Sequence, residues 1–381
     1  MHRQHGIGAG TIFIVPVTKH DKGRSPKQQA QIQKIQQGKN GIQSRGVPGS
    51  SGTKYYSNDP QPLLTLGYQI DNIGDPLGTG SYARVKKCIR TSDDMIFAVK
   101  IIDRKAAVAD FVQKFLPREL DIIRTLDHPN IVKTHDIYES SNLTYIVMEY
   151  AQGGDLLDYI NKMGRLKEHV AKRMFGELCE AIQYIHSRDI CHRDLKCENL
   201  LLDKYERIKL ADFGFSRFCY DKYHKKTLSR TFCGSAAYAA PEILRGQEYN
   251  PKLYDIWSMG CILYIMIYGT MPYDDSDIKK MVQAQQQGIR FDKDDKNRLG
   301  ELNKYVEVNG LISAMLQIDV TIRLNIELVR RHSWLVKVVG QPYVDENAEK
   351  KEKSNYQQSQ SQQTNRTPFK LRNYYEQQAV V

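Results

Sequence analysis

The 381-residue chain has no C-x-x-C pair, no long uninterrupted apolar run and no internal repeat. Its seven cysteines (Cys88, Cys179, Cys191, Cys197, Cys219, Cys233 and Cys261) are odd in number and scattered. That argues against a zinc site or a disulfide framework, and for a reducing compartment. The longest apolar run, "CILYIMIY" at 261–268, falls well short of the ~20 residues of a membrane span and reads as a buried helix. "TIFIVPV" near the start is too short for a secretory h-region, and no small-residue cleavage site follows it. These absences lead us to expect a soluble, intracellular protein.

Charge is present in excess but unevenly. The net charge is +11, yet residues 1–66 hold nine Lys/Arg against two Asp/Glu, and residues 340–381 hold six against five. Most of the excess therefore belongs to a tail and says little about the folded part. The tail centre, "PKQQAQIQKIQQGKNG", has too little apolar area to offset its ordering entropy. Residues 1–66 are expected to be disordered, as is most of the Gln-rich stretch 338–381. No aromatic residues interleave with the basic ones, so no nucleic-acid or membrane partner is expected.

Between the tails, residues 67–150 alternate polar and apolar positions around Gly-rich turns, with one helical stretch. This predicts a small antiparallel sheet. Residues 151–337 carry helical periods such as "AKRMFGELCEAIQYIH". The expectation is an α+β architecture of two lobes with a ligand cleft between them.

"ICHRDLKCENLLL" (190–202) sets Asp194, Lys196 and Asn199 inside an apolar segment, where unpaired burial costs several kcal/mol each, roughly. Other stretches suggest why. "LGTGSYARV" (77–85) has Gly78 and Gly80 in a strand–turn–strand setting that lets backbone N–H groups approach phosphate oxygens, although G-x-G also occurs in plain hairpins. In "FAVKII" (97–102) Ala98 and Lys100 share a strand face, where a lone lysine often serves only as an edge gatekeeper. Glu119 lies on the helical stripe of Ile122, Ile123 and Leu126, and its burial calls for a cation, for which Lys100 is the natural partner. Pro117 marks the start or a kink of that helix. Finally, Asp194, Asn199 and the Asp212 of "LADFGFS" offer hard oxygen ligands suited to Mg²⁺ with substrate phosphates.

Taken in order, these parts match the phosphoryl-transfer template, and residues 68–337 resemble the protein-kinase family. "AAPE" (239–242), "DIWSMG" (255–260) and Arg323 extend the likeness. The resemblance implies the bilobal kinase fold, with a small antiparallel β N-lobe carrying one key helix, a larger helical C-lobe, and ATP in the cleft. It implies that Leu77, Gly78, Thr79, Gly80, Ser81, Tyr82, Ala83, Arg84 and Val85 cover ATP. Lys100 would hold the α/β-phosphates and pair with Glu119. Val85, Ala98 and Leu201 would enclose adenine, with Met148 as gatekeeper and Glu149 and Ala151 bonding its edge. Asp155 would reach the ribose or a substrate residue.

By the same resemblance, Asp194 would orient the substrate hydroxyl and accept its proton, and Lys196 would stabilise the transferring phosphoryl. Asn199 and Asp212 would hold Mg²⁺, and Glu242 would pair with Arg323. Lys196 and Ser235 imply Ser/Thr rather than Tyr specificity. "SRTFCGSAAYAAPEIL" and "YDIWSMGCILYIMIYGTMPYDDSDIKKM" look like the testis-specific serine/threonine kinases, although Ala236 stands where proline is expected. An active enzyme is favoured over a pseudokinase scaffold because Lys100, Asp194, Asn199 and Asp212 are all present. Asp155 and Glu198 suggest protein substrates with Arg or Lys two to three residues before the acceptor. Thr231, at the spacing of an activating phosphosite, would pair with Arg193 once phosphorylated, whereas Thr227 and Ser229 are expected as solvent-exposed hydroxyls. A cytoplasmic monomer is expected, with nuclear access through the basic tail.

Overall fold

The structure is a computed structural model that describes residues 61–71, 74–220, 228–229, 234–291 and 305–339. The disorder expected for residues 1–60 and 340–381, and the roles of Thr227 and Thr231, lie outside these residues. They fall in two units that divide after Leu335. The second holds, of the described residues, only the end of the last helix.

The N-lobe is a six-stranded antiparallel sheet of β1 (Tyr68–Ile70), β2 (Gly78–Thr79), β3 (Ala83–Arg90), β4 (Ile96–Asp103), β5 (Thr134–Glu139) and β6 (Leu143–Glu149). Its order is β1-β3-β4-β6-β5, with β2 beside β3. Period-two alternation divides the apolar residues between its faces. Phe97 and Val99 of β4 join Tyr145 and Val147 of β6 in an outer cluster. Ile102 and Ile146 face the other way, into the main core with Leu116, Leu120, Ile122 and Ile123 of helix α2 (Leu116–Ile123).

The outer cluster corrects the expected boundary of the disordered tail. Residues 61–65 form a short helix, α1 (Gln61–Thr65), and Leu63 within it is fully buried against Tyr68, Cys88 and Phe97. Leu63 stands beside Leu64 and Leu66 in "QPLLTLGY", and nothing local marks it rather than its exposed neighbours as core. It is buried because the outer sheet face needs a cover.

The C-lobe is built on α4 (Glu168–Ser187) and α6 (Pro251–Tyr268), with α3 (Leu156–Met163) preceding α4 in the chain. Helix α6 opens with an Asn250 side-chain cap and Pro251 in its first turn, and closes at Gly269 in the left-handed region. Residues 254–267 are all buried, so "CILYIMIY" is indeed a core helix. No helix among the described residues is long and apolar enough to cross a membrane. Two small two-stranded antiparallel sheets follow: β7 (Ile190–Cys191) with β10 (Arg217–Phe218), which enclose in sequence the hairpin of β8 (Leu200–Leu202) and β9 (Ile208–Leu210). Short α5 (Pro241–Leu244), α7 (Ile278–Gln286), α8 (Val306–Met315), α9 (Ile326–Arg330) and α10 (Ser333–Val339) follow.

Candidate active site

The polar cluster after β7 is satisfied from below by one buried carboxylate on α6. Asp255 accepts the backbone N–H of His192 at 2.9 Å and of Arg193 at 2.8 Å, and lies 2.8 Å from His186 Nε2. The chain turns there with Arg193 at φ +68°. Asn199 Nδ2 donates to the Asp194 carbonyl at 2.8 Å and to Oδ2 at 3.2 Å. Lys196 Nζ lies 3.2 Å from Asp194 Oδ2 and donates to Ser235 Oγ at 3.2 Å, while the Ser235 amide donates to Asp194 Oδ1 at 3.0 Å. Burial pushes the Asp194 carboxyl up, and Lys196 opposes that shift. For Lys196 itself burial disfavours the ammonium, but Asp194 and Glu198 outweigh it and raise the group.

A second set crosses the lobes. Lys100 Nζ lies 2.7 Å from Glu119 Oε1 and 3.0 Å from Asp212 Oδ1. The Lys100 ammonium holds the Asp212 carboxyl down to about 2. Burial pushes Glu119 up while Lys100 draws it back. Glu119 Oε2 is buried with no hydrogen-bond partner among the described residues. Pro117 explains the approach to α2. It has no N–H for the carbonyl four residues back and its ring would clash there. Residues Phe111–Phe115 accordingly form a wide π turn in which the Leu116 N–H reaches the Phe111 carbonyl.

The residues expected around a nucleotide come from the N-lobe strands and the segments that follow them. Gly78 pairs with Val85 and Thr79 with Arg84, and residues 80–82 make the turn, closed by Gly80 N–H to the Ala83 carbonyl at 2.8 Å. A Cβ on Gly78 would meet nothing within 4 Å, and one on Gly80 only Ala83 O at 3.7 Å, so neighbouring protein does not require either glycine. The room is left to something else. Leu77 and Ser81 are exposed at the loop. Val85 stands opposite Lys100 and Ala98 opposite Met148, while Leu201 bridges to Asp155. Glu149 anchors the connection to Ala151: its carboxylate lies 2.6 Å from Lys209 on β9. Asp155 caps α3 by accepting the Asp158 N–H at 2.8 Å.

One expectation changes. Ser229 is fully buried rather than solvent-exposed, because its hydroxyl faces Arg193 Nη1 at 3.1 Å and its backbone bridges to Tyr249. Arg193 is engaged on a second side as well, since its Nε donates to the Phe215 carbonyl at 2.7 Å. Asp255, His186 and Lys209 carry positioning roles that the motif reading missed. For Asp255 the signal was legible: it is a carboxylate in an otherwise apolar helix.

The residues present fit a magnesium–nucleotide complex. Asn199 donates through Nδ2, which leaves its carbonyl oxygen as the end suited to a cation, and Asp212 is held ionised. No group of three or more His, Cys, Asp or Glu among the described residues could hold a metal. An ion at Asn199 and Asp212 would complete its shell with phosphate oxygens and water, as Mg²⁺ does.

Comparison with known proteins agrees. Residues 72–335 match the protein kinase domain. The chain is 53% identical over 281 residues to testis-specific serine/threonine-protein kinase 2 of Mus musculus, covering 73% of this chain and 76% of that protein. It is 42% identical over 274 residues to testis-specific serine/threonine-protein kinase 3 of Homo sapiens, covering 72% and 97%. Testis-specific serine/threonine-protein kinase 4 of Homo sapiens is 40% identical over 283 residues, covering 71% and 83%. With this fold and this arrangement around Lys100 and Asp194, the chain belongs to the protein-kinase family and, within it, to the testis-specific serine/threonine-protein kinases.

Proposed function

We propose that the protein is an active, non-specific serine/threonine protein kinase that moves the γ-phosphoryl group of Mg-ATP to Ser or Thr hydroxyls of proteins. The observation that carries this reading is Lys100 touching Glu119 and Asp212 at once, at 2.7 and 3.0 Å, which is an assembled site rather than a relic. Bound Mg-ATP supplies the phosphoryl group and the metal's counter-charge. Lys100 binds phosphate and is oriented by Glu119. Asn199 and Asp212 hold the ion. A carboxylate oxygen of Asp194 orients the acceptor hydroxyl and takes its proton, and the upward shift from burial brings its basicity closer to working pH. Lys196, between Asp194 and Ser235, places positive charge where the transferring group gains negative charge.

The site chemistry also favours substrates with Arg or Lys two to three residues before the acceptor, through Asp155 and Glu198. Glu198 is buried enough to raise its carboxyl and accepts from the Tyr238 hydroxyl at 3.3 Å. Phosphorylation at Thr231 would raise activity. A monomer in the cytoplasm, with nuclear access through the basic tail, completes the reading.

The test is Mg-ATP turnover on a peptide library. Wild type should phosphorylate Ser/Thr peptides with upstream basic residues. Asp194→Asn should bind ATP but lose about 10²–10⁴-fold in kcat. Nucleotide binding without turnover by wild type would make the chain a scaffold.

A further inference from the structure

The wide turn Phe111–Phe115 contributes no fully buried side chain: Phe111 is half-buried against the edge of the main core and Phe115 is half-buried. Each also meets an aromatic ring on a different loop. Phe111 lies 5.8 Å from Tyr82, centroid to centroid, with planes tilted by 42°. Tyr82 belongs to the turn between the two strands of the glycine hairpin. Phe115 lies 6.4 Å from Phe215, edge to face at 77°. Phe215 follows Asp212 by three residues, and its carbonyl accepts from Arg193 Nε at 2.7 Å. Both separations fall in the range where aromatic pairs attract beyond simple burial.

We propose that Phe111 and Phe115 are positioning residues for phosphoryl transfer, one holding the glycine-rich loop and the other the segment that follows Asp212 against the helix of Glu119. This inference rests on the kinase reading above.

Pro117 sets the geometry. Its missing N–H forces the π turn, and a π turn carries one more residue than an α turn, which sets the phase of Phe111 and Phe115 relative to Glu119. Glu119 must face Lys100 for the 2.7 Å ion pair to form. With that phase fixed, the same helix presents one ring to Tyr82 and one to Phe215. Movement of α2 away from Lys100 would break both ring pairs as well as the ion pair. The glycine turn is tied by backbone bonds, Gly80 N–H to the Ala83 carbonyl at 2.8 Å and Asp103 N–H to the Tyr82 carbonyl at 2.9 Å, and its glycines have no side chains to add a restraint. The Tyr82–Phe111 pair supplies one.

Double-mutant cycles on the full chain test this. KM for ATP, KM for peptide, kcat, affinity for a fluorescent ATP analogue and Tm would be measured for Tyr82→Ala, Phe111→Ala and the double variant. Each single variant should weaken nucleotide affinity and raise KM for ATP by about two- to tenfold, the range of such a ring pair. Peptide KM and Tm should hold. The double variant should be no worse than the weaker single one, because the interaction is already lost. Phe111→Tyr keeps the ring and should behave as wild type. A parallel cycle of Phe115→Ala with Phe215→Ala should show the same non-additivity in kcat. Effects that multiply in the double variants, unchanged nucleotide affinity in the single ones, or losses that track Tm would overturn the proposal. Wild type that neither binds nor turns over ATP would instead sink the kinase reading itself, so the two failures are distinguishable.

Discussion

Arg323 grips Glu242 with both terminal nitrogens, Nη1 to Oε1 at 2.6 Å and Nη2 to Oε2 at 3.0 Å, in the buried base of the helical lobe. The guanidinium also donates to the carbonyls of Gln317 and Leu253 and lies 5.0 Å from the Trp257 ring centroid. Every charge is met, which is what a buried pair requires. Removing one partner leaves the other charge uncompensated. Arg323→Ala or Glu242→Ala should therefore cost about 3–5 kcal/mol of unfolding free energy. Arg323→Lys should recover only part of it, because an ammonium cannot form the fork. Chemical denaturation checks this, and a loss below about 1 kcal/mol would be too small for a buried pair.

Asp212 should make acid stability steeper. Lys100 holds its carboxyl at about 2, below its ordinary 3.8. A depressed value means the folded state keeps the charge longer than the unfolded chain does. Its contribution is complete above pH 3.8 and is lost as pH falls towards 2. Lys100→Met removes the cause, so the variant's stability should vary less across that window, besides losing activity. Denaturation series at several acid pH values compare the two slopes. Identical slopes would mean that Lys100 does not control Asp212.

The N-lobe should depend on residues outside the sheet. Leu63 is fully buried, whereas its neighbour Leu64 is 54% exposed. Leu63→Ala should lower stability by about 2–5 kcal/mol, and Leu64→Ala should change little. A chain starting at residue 66 should melt earlier than one starting at residue 61. Equal melting of those two chains would show that α1 does not cover the outer face.

Phosphorylation of Thr231 should act through Arg193. That guanidinium already holds the Phe215 carbonyl and the Ser229 hydroxyl. A phosphate brings about −1.5 to −2 charges and three acceptor oxygens, so it would outcompete a neutral hydroxyl for Nη1. Thr231→Ala and phosphatase treatment should each cut kcat/KM while Tm holds. Full activity of enzyme shown by mass spectrometry to be unphosphorylated would rule the switch out.

Much of this molecule could be read from local pattern. Period-two alternation placed Ala98 and Lys100 on one face of β4, and the helical stripe placed Glu119 on a buried face. A buried carboxylate and a lysine on an apolar strand need each other, so their pairing follows from electrostatics alone. The glycine hairpin, the polar cluster after β7 and the Asp212 segment were legible because each is a short run whose chemistry is costly unless it is used.

Other features depend on residues far apart in the chain that meet only on folding. Asp255 supports the His192–Arg193 backbone across a separation of more than sixty residues. Leu63 is core only because the sheet presents it with an empty face. Ser229 is a surface hydroxyl by composition, yet it is buried where Arg193 and Tyr249 converge. Phe111 and Phe115 meet Tyr82 and Phe215 through a helix phase set by Pro117. Local sequence constrains backbone period and the cost of burying charge, but it carries no term for which distant surface will arrive to cover a side chain. Packing supplies that term.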